Sequence, residues 1–113
     1  GSSLAGCSAG AMALSKQIPN FRLTKKSPTP GFNLLTNIRV IPHFDRFFRW
    51  IPESAAKHLM SSTEDSILIG IDELTALVNR SGDRDWQVIG SGLVHILSGA
   101  PSAQLAASAR ITL

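Results

Sequence analysis

The sequence predicts an α/β fold, on three observations. Gly6-Cys7-Ser8-Ala9-Gly10 stands between a short apolar run and Ala11-Met12-Ala13-Leu14, the strand–turn–helix setting of a nucleophile elbow. Ile38-Arg39-Val40-Ile41 is apolar, partly β-branched and stopped by Pro42, as a buried strand would be. Behind it, short β-prone runs alternate with turn signals, which reads as a C-terminal β-meander.

Each element has a local reason. Ser2-Ser3-Leu4-Ala5 suits the end of a buried strand, and Ala11 to Leu14 are good helix formers that can open the next element. Between them the backbone must turn sharply. Gly6 and Gly10, having no Cβ, leave room for Ser8 to stand clear. The helix that follows would aim amide N–H groups at negative charge developing beside Ser8. Lys16 to Gly31 is polar, basic and broken by Pro19, Pro28 and Pro30, which predicts a long surface loop. Pro52 and Glu53 mark a helix start, proline in the first turn and then an acid that suits the dipole. That helix would run to about Met60 with Ala55, Ala56, Leu59 and Met60 on its inner face. Strands are then predicted at Ser66–Ile69, Thr75–Val78, Trp86–Ile89 and Leu93–Leu97. The segments between them, Gly70-Ile71-Asp72-Glu73, Ser81-Gly82-Asp83 and Gly90-Ser91-Gly92, read as turns. Pro101 to Ala109 reads as an Ala-rich helix or tail, and Ile111-Thr112-Leu113 as the start of another strand.

Bulk composition sets outer bounds. At 113 residues, with 43% hydrophobic and 17% charged, the chain holds one small globular domain. Its opening Gly-Ser-Ser has neither the basic nor the apolar region of a secretory signal. It begins one strand before the candidate nucleophile, so residues 1–113 are expected to be the C-terminal part of a single domain whose N-terminal half is missing. The single cysteine, Cys7, excludes an internal disulfide and fits a cytoplasmic location. Cys7 is expected to be a small buried side chain, because the exposed position of an elbow is the middle residue, Ser8. Residues 1–44 carry Lys16, Arg22, Lys25, Lys26 and Arg39 and no acid, while all 8 acids lie between Asp45 and Asp85. With no nucleic-acid motif beside it, the basic stretch reads as a solvated loop, so no nucleic acid and no membrane partner is expected.

A serine nucleophile needs a general base, and the base needs an acid to hold its tautomer. The histidines are His43, His58 and His95. His58 falls in a predicted surface helix, where a histidine is ordinarily solvated, and Val94-His95-Ile96 makes His95 a half-buried strand residue. His43 follows a strand directly in Pro42-His43-Phe44-Asp45, at the strand end where sites of α/β sheets gather. No acid lies between Ser8 and His43, so the chain order Ser, acid, His is excluded. Asp45 would point away from His43 on an extended backbone and reads as a solvated or salt-bridged turn acid. Asp72 and Glu73 lie between two predicted strands, a position that can return a carboxylate to the site. No zinc spacing is present. A bare Gly-x-Ser-x-Gly also has a bland reading, a tight packing turn.

Taken together and in order, Gly6-Cys7-Ser8-Ala9-Gly10-Ala11, Pro42-His43-Phe44 and Gly70-Ile71-Asp72-Glu73-Leu74-Thr75-Ala76-Leu77 resemble the dipeptidase E and cyanophycinase family of serine peptidases. Pro30-Gly31-Phe32-Asn33-Leu34-Leu35 and Val88-Ile89-Gly90-Ser91-Gly92-Leu93-Val94 extend the resemblance to about Leu97. It implies a flavodoxin-like sheet of the class I glutamine amidotransferase kind, with Ser8 as nucleophile, His43 as general base and Glu73 as the orienting acid. It implies no cofactor and no metal. The family's glycine-rich loop, one half of its oxyanion hole, precedes the nucleophile and has no counterpart in this chain, which leaves the backbone N–H of Ala9 as oxyanion donor. The aspartate that dipeptidase E carries shortly after the nucleophile is also missing, since Phe21 to Thr24 holds no acid. The function expected is hydrolysis of peptides next to aspartyl residues, with Arg46, Arg49 or a lysine of residues 16–26 binding the acidic group. A homo-oligomer is compatible with this reading. The competing expectation is a non-catalytic homologue or inactive fragment that serves as a structural or interaction module.

Overall fold

The computed structural model describes residues 4–7, 9–18, 29–46, 66–80 and 84–113. Within them the chain is α/β. Helix α1 (Ala9–Ala13) begins directly after the elbow serine position. Strands β1 (Gln17–Ile18) and β2 (Thr29–Pro30) pair antiparallel, so the two described ends of the predicted 16–31 loop are tied together. Backbone bonds from Phe32 N–H to Ala13 C=O and from Asn33 N–H to Ser15 C=O continue that tie.

The frame of the site is a mixed four-stranded sheet, ordered β3-β4-β7-β8. Strands β3 (Ile38–Pro42) and β4 (Ile67–Ile71) run parallel, from Ile38 opposite Ile67 to Pro42 opposite Ile71. Parallel neighbours need a crossover between them. The helix expected over Pro52–Met60 belongs to that connection and lies outside the described residues, as do His58, Arg49 and Ser8. Strands β7 (Val94–Ser98) and β8 (Ala103–Leu105) add antiparallel to the far side of β4. A second, antiparallel sheet is formed by β5 (Thr75–Val78), β6 (Asp85–Gly90) and β9 (Arg110–Thr112), in the order β5-β6-β9.

Consecutive positions of β3 and β4 are buried on both faces. Ile38, Val40 and Ile69 lie on one side, in a cluster with Ile96 and Leu113. Ala11 of α1 and Leu77, Trp86 and Ile111 of the second sheet pack against that cluster. Ile41 and Leu68, of opposite parity, are also fully buried. Strands covered on both faces read as continuous apolar runs, which is why Ile38–Ile41 and Ile67–Ile71 show no alternation in sequence.

Several expectations need correction. The predicted meander is two hairpins, β5–β6 and β7–β8, divided between two sheets, with β6 passing to β7 without pairing. Turn residues report local reversal and carry no information on which distant strand becomes the neighbour. Residues 101–109 form no helix: they hold β8 and a turn into β9, with Pro101, Gly99 (φ 84) and Ser108 (φ 73) breaking helical continuity. Leu4 to Cys7 form no strand, and Leu4 and Cys7 are exposed rather than buried. Gly6 is needed, since a Cβ there would stand 2.8 Å from Gly10 O and Leu14 Cδ1, whereas a Cβ at Gly10 would meet nothing within 4 Å.

Candidate active site

Because Pro42 and Ile71 are register partners in a parallel pair, the residues that follow each leave the sheet side by side at its carboxyl edge. Those residues are His43 on one strand and Asp72-Glu73 on the other. The edge is where α/β sheets build their sites, since strands end there and loops are free to vary.

His43 adopts φ 52, a left-handed backbone that costs a non-glycine residue about 1 kcal/mol or more. The reversal turns the chain at once into a helical turn over residues 44–46, with Arg46 N–H bonded to His43 C=O at 3.0 Å. Phe44 therefore points inward and is buried, while Asp45 and Arg46 face the neighbouring turn.

Glu73 meets this turn at three points. Its Oε1 lies 3.4 Å from His43 Nδ1, its Oε2 lies 3.2 Å from Arg46 Nε, and its backbone N–H donates to Asp45 Oδ1 at 3.0 Å. His43 Nδ1 is shielded from solvent. The 3.4 Å approach is longer than a normal hydrogen bond. The next residue, Leu74, has φ 55 and is 84% exposed, so the turn reverses through a second left-handed position.

Asp45 is exposed, as expected of a solvated turn acid, but its side chain turns to the Glu73 backbone instead of simply pointing away from His43. Pointing away assumed an extended backbone after His43, and the left-handed residue removes the assumption. The structure thus brings His43 and Glu73 together, with Asp45 and Arg46 around them. Ala9 opens α1, which packs against β3.

A second pair lies deeper. His95 Nε2 is 2.9 Å from Asp72 Oδ1, and both side chains are largely buried, at 13% and 11% exposed. Carboxylate oxygens only accept, so the Nε2–H donates. Asp72 Oδ2 accepts from Leu93 N–H at 3.0 Å, and Asp72 N–H donates to Leu93 C=O. Thr75 Oγ1 completes the turn, donating to Glu73 C=O and accepting from Gly92 N–H. Sequence reasoning placed His95 in a strand but missed its partner. The parity of Val94-His95-Ile96 sets His95 opposite the core face; the register that brings it to Asp72 is not written locally.

No helix among the described residues is long and apolar enough to cross a membrane. No protein-family model and no curated relative matches the chain. The chain is similar over its whole length, at 60% identity and a TM-score of 0.90, to a crystal structure of a peptidase from an acI-B1 Actinobacterium, and it spans 46% of that protein's chain.

Proposed function

We propose that this chain carries the nucleophile, base and acid of a serine peptidase similar to the dipeptidase E and cyanophycinase family, set on a flavodoxin-like sheet. The observation that carries the reading is the approach of Glu73 Oε1 to the shielded His43 Nδ1 at the carboxyl edge of β3 and β4. With Nδ1 facing the carboxylate, Nε2 is the nitrogen left to work as base. The likeness to a peptidase supports the same reading, and the substrate is a peptide.

In this mechanism Ser8 Oγ attacks the scissile carbonyl while His43 Nε2 takes its proton. The Ala9 N–H donates to the oxyanion, and His43 returns the proton to the departing amine. Water then enters by the same base and releases the acid product. Glu73 holds the imidazole orientation and offsets the imidazolium charge. Arg46 is engaged with Glu73, so recognition of an aspartyl carboxylate falls to Arg49 or a lysine of residues 16–26.

The test uses the protein expressed with its native flanking sequence and aspartyl p-nitroanilide as substrate, with dipeptides beginning in aspartate, alanine or lysine for comparison. Hydrolysis should favour the aspartyl compounds. Ser8→Ala should lower kcat at least about a thousandfold and Glu73→Gln about a hundredfold or more. Wild-type rates in Ser8→Ala would remove Ser8 as the nucleophile, and no hydrolysis by the unaltered protein would favour the non-catalytic interaction module instead.

A further inference from the structure

The two residues of the proposed base–acid pair each have an inward-facing chain neighbour: Phe44 after His43, and Asp72 before Glu73. Both neighbours touch one side chain, His95. The Phe44 ring lies 4.6 Å from the His95 ring, centroid to centroid and tilted by 49°, and Asp72 Oδ1 accepts from His95 Nε2 at 2.9 Å. We infer that His95 is a positioning residue, holding the His43 turn and the Glu73 turn in one fixed relation; the inference rests on the function proposed above.

The surroundings favour that role over a simple strand tie. His95 stands opposite Gly70 in the β4–β7 register, and a Cβ at Gly70 would overlap the Phe44 ring. Phe44 is thus seated in a slot that glycine opens and against a wall that His95 forms. Asp72 is fixed at both oxygens, by His95 and by Leu93 N–H, so its backbone delivers Glu73 from a set position. A largely buried polar pair is seldom worth more to stability than an apolar pair of the same volume. Its directional bonds, with the ring contact, do constrain two turns that have no covalent connection closer than the stretch from Asp45 to Ile71. An error of about 1 Å between acid and base is enough to cost about a hundredfold in rate.

The experiment is a set of double-mutant cycles on aspartyl p-nitroanilide hydrolysis, using the protein with its native flanking sequence. His95→Phe keeps a ring against Phe44 and removes the donor to Asp72; His95→Gln keeps an amide donor near the Nε2 position. His95→Phe should lower kcat about 10- to 100-fold with KM within about twofold, and His95→Gln should recover most of it. In a Glu73→Gln background, His95→Phe should cost less than about twofold more, because the group it positions is already gone. An equal loss in both backgrounds, a change in KM alone, or no recovery in His95→Gln would overturn the inference.

Ring 1H–15N spectra of the Ser8→Ala protein provide a readout without turnover. His43 resonances should move in His95→Phe and stay near their original positions in His95→Gln. If Ser8→Ala leaves hydrolysis unchanged, the function reading falls separately, and unmoved His43 resonances would then overturn the positioning role as well. Thermal unfolding of each variant identifies any that fails to fold, for which Asp72→Asn replaces His95→Phe with the same expected outcomes.

Discussion

Glu73 is held by its backbone and by both carboxylate oxygens, yet each hold is individually modest. Arg46 and Glu73 have side chains 52% and 32% exposed, and an ion pair that open to water contributes about 1 kcal/mol at most. Arg46→Ala should therefore leave the unfolding midpoint almost unchanged while lowering kcat several-fold, since Glu73 loses the contact that sets its second oxygen; equal thermal scans with unchanged kinetics would show that Arg46 is only a surface partner. A contrast in backbone strain sits at the same place. His43 and Leu74 both adopt left-handed φ, but only His43 has a proposed role that requires its side chain there. Leu74 is exposed and buries almost nothing, so Leu74→Gly should stabilise the protein by about 0.5–1 kcal/mol in urea titration, with a loss of stability counting against strain at this turn. At this scale the sequence was partly legible. His43 could be chosen from its strand end, and Asp72 and Glu73 could be proposed together. Choosing between the two acids needed the resemblance, and the contact of Asp45 with the Glu73 backbone was missed because a left-handed histidine has no local signature.

At the level of elements, β3 and β4 do the positioning. Their parallel register puts Pro42 beside Ile71, and His43, Asp72 and Glu73 follow within two residues of that rung. Gly70 is the element's tightest requirement. It leaves room for the Phe44 ring, which in turn fixes where the chain departs after His43. Gly70→Ala should force Phe44 outward, destabilising by about 1–3 kcal/mol and lowering kcat beyond what thermal unfolding accounts for. The cavity-making partner change Phe44→Ala in the same background should recover part of the stability but not the rate. If Gly70→Ala leaves both unchanged, Phe44 is not seated as described. The strands themselves were readable, from Ile38, Thr75, Trp86 and Val94 onward, because apolar β-branched runs bounded by glycine and proline are local signals. Their division into two sheets was not, because it depends on β4 leaving β5 for β7, a choice made by long-range register. Residues 103–105 were misread because alanine favours helix in isolation, whereas pairing with β7 decides the outcome here; the strand expected at Ile111-Thr112-Leu113 is present as β9, Arg110–Thr112.

Among the described residues, the core is concentrated around β3, β4 and β7, and apolar surface remains beyond it. Leu4, Phe32 and Leu34 are 66%, 74% and 58% exposed. Phe32 and Leu34 are drawn toward the end of α1 by backbone bonds to Ala13 and Leu14, so these two residues belong to one region. Exposed apolar groups that cluster tend to be covered by something. The similar peptidase carries more than twice as much chain as the 113 residues here, because this chain spans 46% of it. Residues 1–113 expressed alone are therefore expected to associate, with an apparent mass that rises with concentration in light scattering, and to bind an apolar dye. Expressed with native flanking sequence, the protein should give one discrete species with little dye binding. If Ala9 supplies one oxyanion donor, as proposed, and the flanking sequence the other, hydrolysis of aspartyl p-nitroanilide should appear only in the second preparation, since losing one such donor costs about 3–4 kcal/mol of transition-state stabilisation. A monodisperse, dye-silent and active preparation of residues 1–113 would mean that the site and its core are complete within this length, and that the exposed residues around α1 need no cover.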